Sequence, residues 1–210
     1  MIPVAGRPFI EWPLMQLRQA GFARAVLCTG YRADVVAAHF GDGSHFGLEI
    51  TYSEDGPSLL GTLGALRRAV DAFDSVVPVL YADTILTVDF AAVVQRHISD
   101  EATSGTMTVL RNEGVGDTSN ARVDGSRVVA YSKNPPPRAA NWIDYGYLVL
   151  DRELIAESSD INLDGLLSGL ASRGDLAAYA VSEPFHDIGN PKALAATSAW
   201  LAGGGLNVIS

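Results

Sequence analysis

Apolar residues in this chain recur at every third or fourth position in some segments and at every second in others. Repeated switching between those periods admits only a fold in which helices and strands alternate. Residues 10–20 follow Pro8, place Leu14, Met15 and Leu17 on one helical face and stop at Gly21. Residues 23–29 form a short β-branched run, residues 34–40 read as helix and residues 48–52 alternate as a strand, which makes a β-α-β unit. Residues 62–73 read as helix, and residues 75–81 (SVVPVLY) as a strand buried on both faces. Residues 90–98 read as a helix behind a capping Asp89. Beyond Glu101 the strands come without intervening helices, over residues 106–110, 121–124, 127–132 and 142–150, with Asp124-Gly125 as a hairpin turn. Helices over 163–173 and 193–201 flank a strand over 176–180, and Pro135-Pro136-Pro137 reads as a stiff surface loop.

Composition narrows the function. The chain has 210 residues, 48% of them hydrophobic, enough for a sizeable core. Against 24 acidic residues stand 15 basic ones, a net charge of -9, and Lys133 and Lys192 are the only lysines. Such a chain has no cationic stripe able to track a phosphate backbone, so nucleic acid and anionic membrane are poor partners. The single cysteine, Cys28, sits in an apolar run and reads as a buried thiol in a reducing compartment, the cytoplasm. Met1 to Pro8 has neither a basic n-region nor an apolar h-region, so no targeting segment is expected there.

Chemistry-bearing residues are few. Asp83 follows the strand over 75–81, at the carboxyl end where open α/β sheets bind ligands, and a carboxylate there suits Mg²⁺; a turn-capping Asp is the alternative. Asp187, in His186-Asp187-Ile188-Gly189-Asn190-Pro191, stands before a helix start and offers a second oxygen to the same hard cation. A His-Asp phosphohydrolase would need further ligands, and His39, His45 and His97 lack metal-ligand spacing and read as surface or turn residues. The glycine-rich segment over residues 41–47 runs from helix into strand, the wrong direction for a phosphate cradle. Leu60-Gly61-Thr62-Leu63-Gly64-Ala65 opens a helix, where glycines would let a flat base approach backbone N–H groups; a plain helix start is the alternative. Lys133 ends a strand, either solvated or facing a phosphate.

In order, Ile2 to Pro8, Phe40-Gly41-Asp42-Gly43, Leu60 to Ala65, Leu80-Tyr81-Ala82-Asp83, Ser132-Lys133-Asn134-Pro135, Ile143-Asp144-Tyr145-Gly146 and Asp187 to Pro191 resemble the sugar-1-phosphate nucleotidylyltransferase family. The likeness is strongest to small bacterial mannose- or heptose-1-phosphate guanylyltransferases. The resemblance implies a Rossmann-like α/β fold with a mixed, mostly parallel central sheet flanked by helices. It implies one domain over residues 1–202 and a flexible tail over 203–210. The reaction implied joins a nucleoside triphosphate (GTP favoured, UTP or CTP also accepted in the family) to a sugar 1-phosphate, releasing pyrophosphate. Carried over by residue, Asp83 and Asp187 would hold Mg²⁺, and Gly61, Thr62 and Gly64 with Asp83 would border the nucleotide. Lys133 would meet the sugar phosphate, and Asp144 and Gly146 would line the sugar pocket; Asp83, Asp187 and Lys133 form the implied catalytic set. Homo-oligomers are compatible with the resemblance.

Two departures stand out. The family's opening strand and Gly-rich loop, which wrap the triphosphate, are expected to be missing, since Met1-Ile2-Pro3-Val4 matches the segment just after them. Ala82 stands where the family usually has Gly. The alternatives are therefore a catalytically impaired member that still binds nucleotide or sugar phosphate, and a glycosyltransferase of related fold. Glycosyltransferases of that kind hold their metal with two acids one residue apart, a pair that Asp83-Thr84-Ile85 lacks.

Overall fold

A computed structural model describes residues 1–114 and 118–206. In chain order it contains β1 (Pro3–Val4), β2 (Arg7–Pro8), α1 (Glu11–Gln19), β3 (Arg24–Thr29), α2 (Ala33–Phe40), β4 (Glu49–Glu54) and α3 (Gly61–Arg68). There follow β5 (Val76–Leu80), β6 (Thr84–Ile85), α4 (Phe90–Ile98), β7 (Gly105–Arg111), β8 (Ala121–Asp124), β9 (Arg127–Tyr131) and β10 (Trp142–Asp151). The chain continues through α5 (Arg152–Glu157), α6 (Leu163–Arg173), β11 (Leu176–Val181), β12 (His186–Asp187) and α7 (Pro191–Ala202). These elements fall into two compact units. The first comprises Met1–Glu54, Tyr81–Phe90 and the described residues from Pro184 onward; the second comprises Asp55–Leu80 and Ala91–Glu183.

In the first unit β3 and β4 pair in parallel with α2 as the crossover, the expected β-α-β arrangement. Ala5 and Gly6, with φ of 50° and 86°, turn β1 back on β2 as a two-residue hairpin. Val4, Phe9, Trp12, Ile85 and Leu201 form one core cluster, against which Ile188, Leu194, Trp200 and Leu206 pack. Gly205 N donates to Trp200 O at 3.0 Å, so residues 203–206 of the expected tail are tied to α7, whereas 207–210 lie outside the described residues. Cys28 is exposed, contrary to the reading from its apolar run. A run of apolar residues is buried throughout only when both faces of its strand are covered, and β3 carries exposed residues at Arg24 and Cys28.

The second unit is built on a six-stranded sheet in the order β5-β10-β7-β11-β9-β8. The sheet is mixed, as expected, but it is not mostly parallel. Among the described residues only β7 and β11 run parallel in it; β10 runs antiparallel to β5, β7 and β8, and β9 antiparallel to β8 and β11. Among the described strands β8 and β9 are joined directly as a hairpin, and β10, inserted antiparallel between β5 and β7, supplies most of the rest, a long-range pairing that the local β-α-β pattern does not show. β5 is likewise not doubly buried. It alternates between buried and half-buried residues and stands at the end of the sheet, the position that tolerates Pro78, which has no N–H to donate. α6 packs on β9 and β11 and buries Leu163, Leu166, Leu167 and Leu170 there.

His97 is 4% exposed, not a surface residue. It is held in the second unit between Thr106 Oγ1 at 3.1 Å and Asp151 Oδ1 at 3.3 Å. Asp100 ties α4 to β9, accepting from Arg127 and Arg96 at 2.8 Å each. The Arg127 guanidinium above all, assisted by Arg96, lowers its carboxyl from the usual 3.8 to about 2. The folded state therefore gains stability from Asp100 that is complete above pH 3.8 and is lost as pH falls through about 2. Asp100→Asn is expected to cost about 1–2 kcal/mol at pH 7, since both arginines are partly solvated. Urea unfolding at pH 7 and pH 2 checks this: the gap between variant and wild type should narrow at the lower pH.

Candidate active site

Asp83 and Asp187 are brought together within the first unit by a short antiparallel ladder. Thr84 lies opposite Asp187 and Ile85 opposite His186, and Ile188 N donates to Asp83 O at 3.1 Å. The ladder rests on fully buried Ile85 and Leu86, and α7 supports it through the Thr197 hydroxyl, which donates to Asp187 O at 2.7 Å. α7 is itself fixed at its start, where Asn190 Oδ1 accepts from Lys192 N and Ala193 N at 3.0 Å and Pro191 supplies a first residue that needs no acceptor. The His186 ring stacks on Trp200 with centroids 3.7 Å apart, and burial pushes its pKa down while the Asp187 charge opposes. His186 is thus a packed imidazole beside the pair, its charged form disfavoured by burial. Ala82 keeps an ordinary φ, so the missing glycine strains nothing.

Each carboxylate uses one oxygen locally. Asp83 Oδ1 accepts from the Thr84 hydroxyl at 2.9 Å and Asp187 Oδ1 from Gly189 N at 2.8 Å; among the described residues the other oxygen of each has no donor. Asp83 is exposed and Asp187 half-buried. Two accessible carboxylates with unused oxygens fit a hard divalent cation of the Mg²⁺ type, which takes one or two protein carboxylates and fills its remaining positions with water and substrate phosphate.

In the second unit the first turn of α3 differs from its expected role. The N–H groups of Leu63 and Gly64 both donate to Ile161 O at 3.0 Å, Thr62 N donates to Asn162 Oδ1 at 3.2 Å, and Leu60 N to Asp55 Oδ2 at 3.1 Å. The donors that a helix start usually leaves open are therefore occupied by the chain. Among the described residues only Gly61 N in this turn has no acceptor. Gly61 has φ +75°, and a Cβ there would lie 2.5 Å from Ile161 Cγ2, so glycine is required by the close approach of residues 161 and 162. Thr62 Oγ1 returns the contact, accepting from Leu163 N at 2.9 Å.

Lys133, Asp144 and Gly146 come together in the same unit. Gly146, with φ +97°, marks a register shift in β10 between Asp144 and Leu148, and this bulge folds Gly146 N onto Asp144 Oδ1 at 3.1 Å. Asp144 Oδ2 accepts from the Tyr131 hydroxyl at 3.0 Å, and Asp144 N donates to Asn120 Oδ1 at 2.8 Å. Lys133 Nζ stands 3.6 Å from Asp164 Oδ1. Burial pushes the Asp144 pKa up, a rise that Lys133, Gly146 N and the Tyr131 hydroxyl oppose. Between its usual value and the raised one, the folded state binds more protons than the unfolded chain, so Asp144 costs more stability as pH rises through that window. Asp144→Asn is therefore expected to unfold at no lower urea concentration than wild type at pH 7, which urea titration of the variant checks.

Tyr131, Asn120, Asn162 and Asp164 hold these residues in place and carry no motif of their own. Only their proximity, made by β9, the bulge in β10 and the start of α6, reveals them. Among the described residues no group of three or more His, Cys, Asp or Glu clusters as a metal site, and no helix is long and apolar enough to cross a membrane.

The mannose-1-phosphate guanylyltransferase of Mycobacterium tuberculosis is 29% identical over 219 residues, covering 97% of this chain and 58% of that protein. A D-glycero-alpha-D-manno-heptose 1-phosphate guanylyltransferase of Aneurinibacillus thermoaerophilus is 34% identical over 104 residues, covering 49% of this chain and 44% of that protein. The chain spans about half the length of these curated relatives. The crystal structure of HddC from Yersinia pseudotuberculosis superposes with a TM-score of 0.80 at 19% identity, over 96% of this chain and 88% of that one, a likeness of fold. The sequence profile described as Nucleotidyl transferase matches residues 1–202, and by that match the chain belongs to the nucleotidyl transferase family.

Proposed function

We propose that this protein transfers a nucleotidyl group from a nucleoside triphosphate, GTP by preference, to a sugar 1-phosphate, with Mg²⁺, in the cytoplasm. The observation that carries the reading is the family match over residues 1–202, and the neighbouring carboxylates of Asp83 and Asp187, each with an oxygen unused by the described residues, support it. Relatives named as mannose- and heptose-1-phosphate guanylyltransferases favour guanine and a hexose or heptose.

A sugar-phosphate oxygen attacks the α-phosphorus in line, the bond from that phosphorus to the bridging oxygen breaks, and pyrophosphate leaves with the electron pair. The attacking group is already an anion near neutral pH, so no protein base is required, and positioning with charge neutralisation does the catalysis. Asp83 and Asp187 would hold Mg²⁺, which would supply positive charge to the triphosphate. Gly61 N donates to an acceptor on the base edge, for which O6 of guanine is suited. Lys133 neutralises the sugar phosphate, and Asp144 accepts a sugar hydroxyl.

Pyrophosphate release, followed for each of GTP, UTP, CTP and ATP with mannose, glucose and heptose 1-phosphates, tests the reading. Release that needs both substrates and Mg²⁺ and is fastest with GTP is expected. Nucleotide binding without release from any pair would favour the impaired, binding-only member of the family.

A further inference from the structure

Thr84 directly follows Asp83 and has no role in the transfer described above. The residue is only 8% exposed, yet its hydroxyl donates to Asp83 Oδ1 at 2.9 Å. Several neighbours fix that hydroxyl in place. Thr84 lies opposite Asp187 in the ladder between β6 and β12, and the fully buried Ile85 and Leu86 come next in the chain. Leu86 O in turn accepts from Gln16 Nε2 of α1 at 2.6 Å, and Gln16 is itself buried. The side chain is β-branched and therefore stiff at its first torsion. A rigid, buried donor thus holds one oxygen of an exposed carboxylate.

The consequence for a cation follows from how hard cations use carboxylates. Ca²⁺ takes about six to eight oxygens and readily accepts both oxygens of one carboxylate, whereas Mg²⁺ demands near-octahedral geometry at about 2.0–2.1 Å and keeps several waters. A carboxylate with one oxygen engaged by a fixed donor is suited to give its other oxygen alone. On Asp187 the Gly189 N–H engages one oxygen in the same way, at 2.8 Å. We propose that Thr84 is a positioning residue that restricts Asp83 to ligation through one oxygen, and so biases the pair toward a small octahedral cation and against one of Ca²⁺ size. The inference rests on the reading of Asp83 and Asp187 as Mg²⁺ ligands in nucleotidyl transfer.

Mn²⁺ bound to the whole chain, without nucleotide, is followed by electron paramagnetic resonance and displaced with Mg²⁺ or with Ca²⁺; turnover of GTP with mannose 1-phosphate is measured separately. Wild type should release Mn²⁺ at a lower concentration of Mg²⁺ than of Ca²⁺. Thr84→Val keeps the shape of the side chain and removes the donor, and water can reach the vacated oxygen because Asp83 is exposed, so the fold should hold. The ratio of the two displacement midpoints should then move about tenfold toward Ca²⁺. Thr84→Ala should repeat the shift, and Thr84→Ser, which returns the hydroxyl, should reverse it. A merely structural role would weaken both cations together and leave their ratio alone. Equal midpoints in wild type, an unchanged ratio in Thr84→Val and Thr84→Ala, no reversal in Thr84→Ser, or failure of wild type to bind Mn²⁺ overturns the role assigned to Thr84. The predicted ratios without turnover would sink the nucleotidyl-transfer reading and leave that role standing; turnover with an unchanged ratio would do the reverse.

Discussion

Asp83→Asn and Asp187→Asn are each expected to slow nucleotidyl transfer by about 10²–10³-fold or more while leaving the unfolding temperature close to that of wild type. The separation of the two effects follows from what each oxygen does. An asparagine at 83 still accepts from the Thr84 hydroxyl, and one at 187 still accepts from Gly189 N, so the ladder between β6 and β12 survives. What is lost is the anionic charge on the second oxygen, the part available to a divalent cation. In a chain of net charge -9 no diffuse positive field replaces it toward the two phosphorylated substrates proposed. Raising Mg²⁺ should recover part of the rate in either variant, and steady-state rates across a Mg²⁺ titration give the check. Near-wild-type rates would remove the pair from the mechanism.

Gly61→Ala should weaken nucleotide binding by about tenfold or more and destabilise the protein by about 2–4 kcal/mol. Two costs combine. A non-glycine residue at φ +75° enters the left-handed region, at about 1–2 kcal/mol. The new Cβ would also lie 2.6 Å from Asn162 Oδ1 and 2.7 Å from Ile161 O, the two atoms that accept from Thr62, Leu63 and Gly64. Relieving that clash parts α3 from the start of α6 and tilts the Gly61 N–H. Gly56→Ala is the internal comparison, because Gly56 also has positive φ but nothing within 4 Å of its Cβ. Only the backbone cost applies there, so thermal unfolding and nucleotide titration of the two variants separate the steric contribution from the conformational one.

The extent to which these features are legible in sequence depends on the length of the interaction involved. Helices such as α4 and α6 and strands such as β8 were readable to within a residue or so, because an apolar period bounded by Gly, Pro or Asp is a local signal. β1, β2, β6 and β12 are two residues each, too short for any period, and exist only because a partner lies opposite. α5 follows β10 without a loop, so its single turn and a half hides behind the strand signal. The antiparallel balance of the large sheet turns on β10 running between β5 and β7, a pairing between distant segments.

Asp83, Lys133, Asp144 and Asp187 were nameable because they sit in short segments that resemble the family. The closing of the α3 donors is not legible locally: a helix start seen alone has open donors, and residues 161 and 162, which occupy those of Thr62, Leu63 and Gly64, are remote in sequence. Asp164 was illegible for the same reason, an ordinary acidic residue in a first helical turn until Tyr131 and Lys133 are placed beside it.

GTP labelled at its α-phosphorus follows the proposed transfer directly. Incubated with the protein, Mg²⁺ and mannose 1-phosphate, the label is predicted to move into a product that also contains the sugar, with unlabelled pyrophosphate formed in equal amount. Label remaining in GTP, or appearing as free GMP without sugar attached, would contradict nucleotidyl transfer to the sugar phosphate.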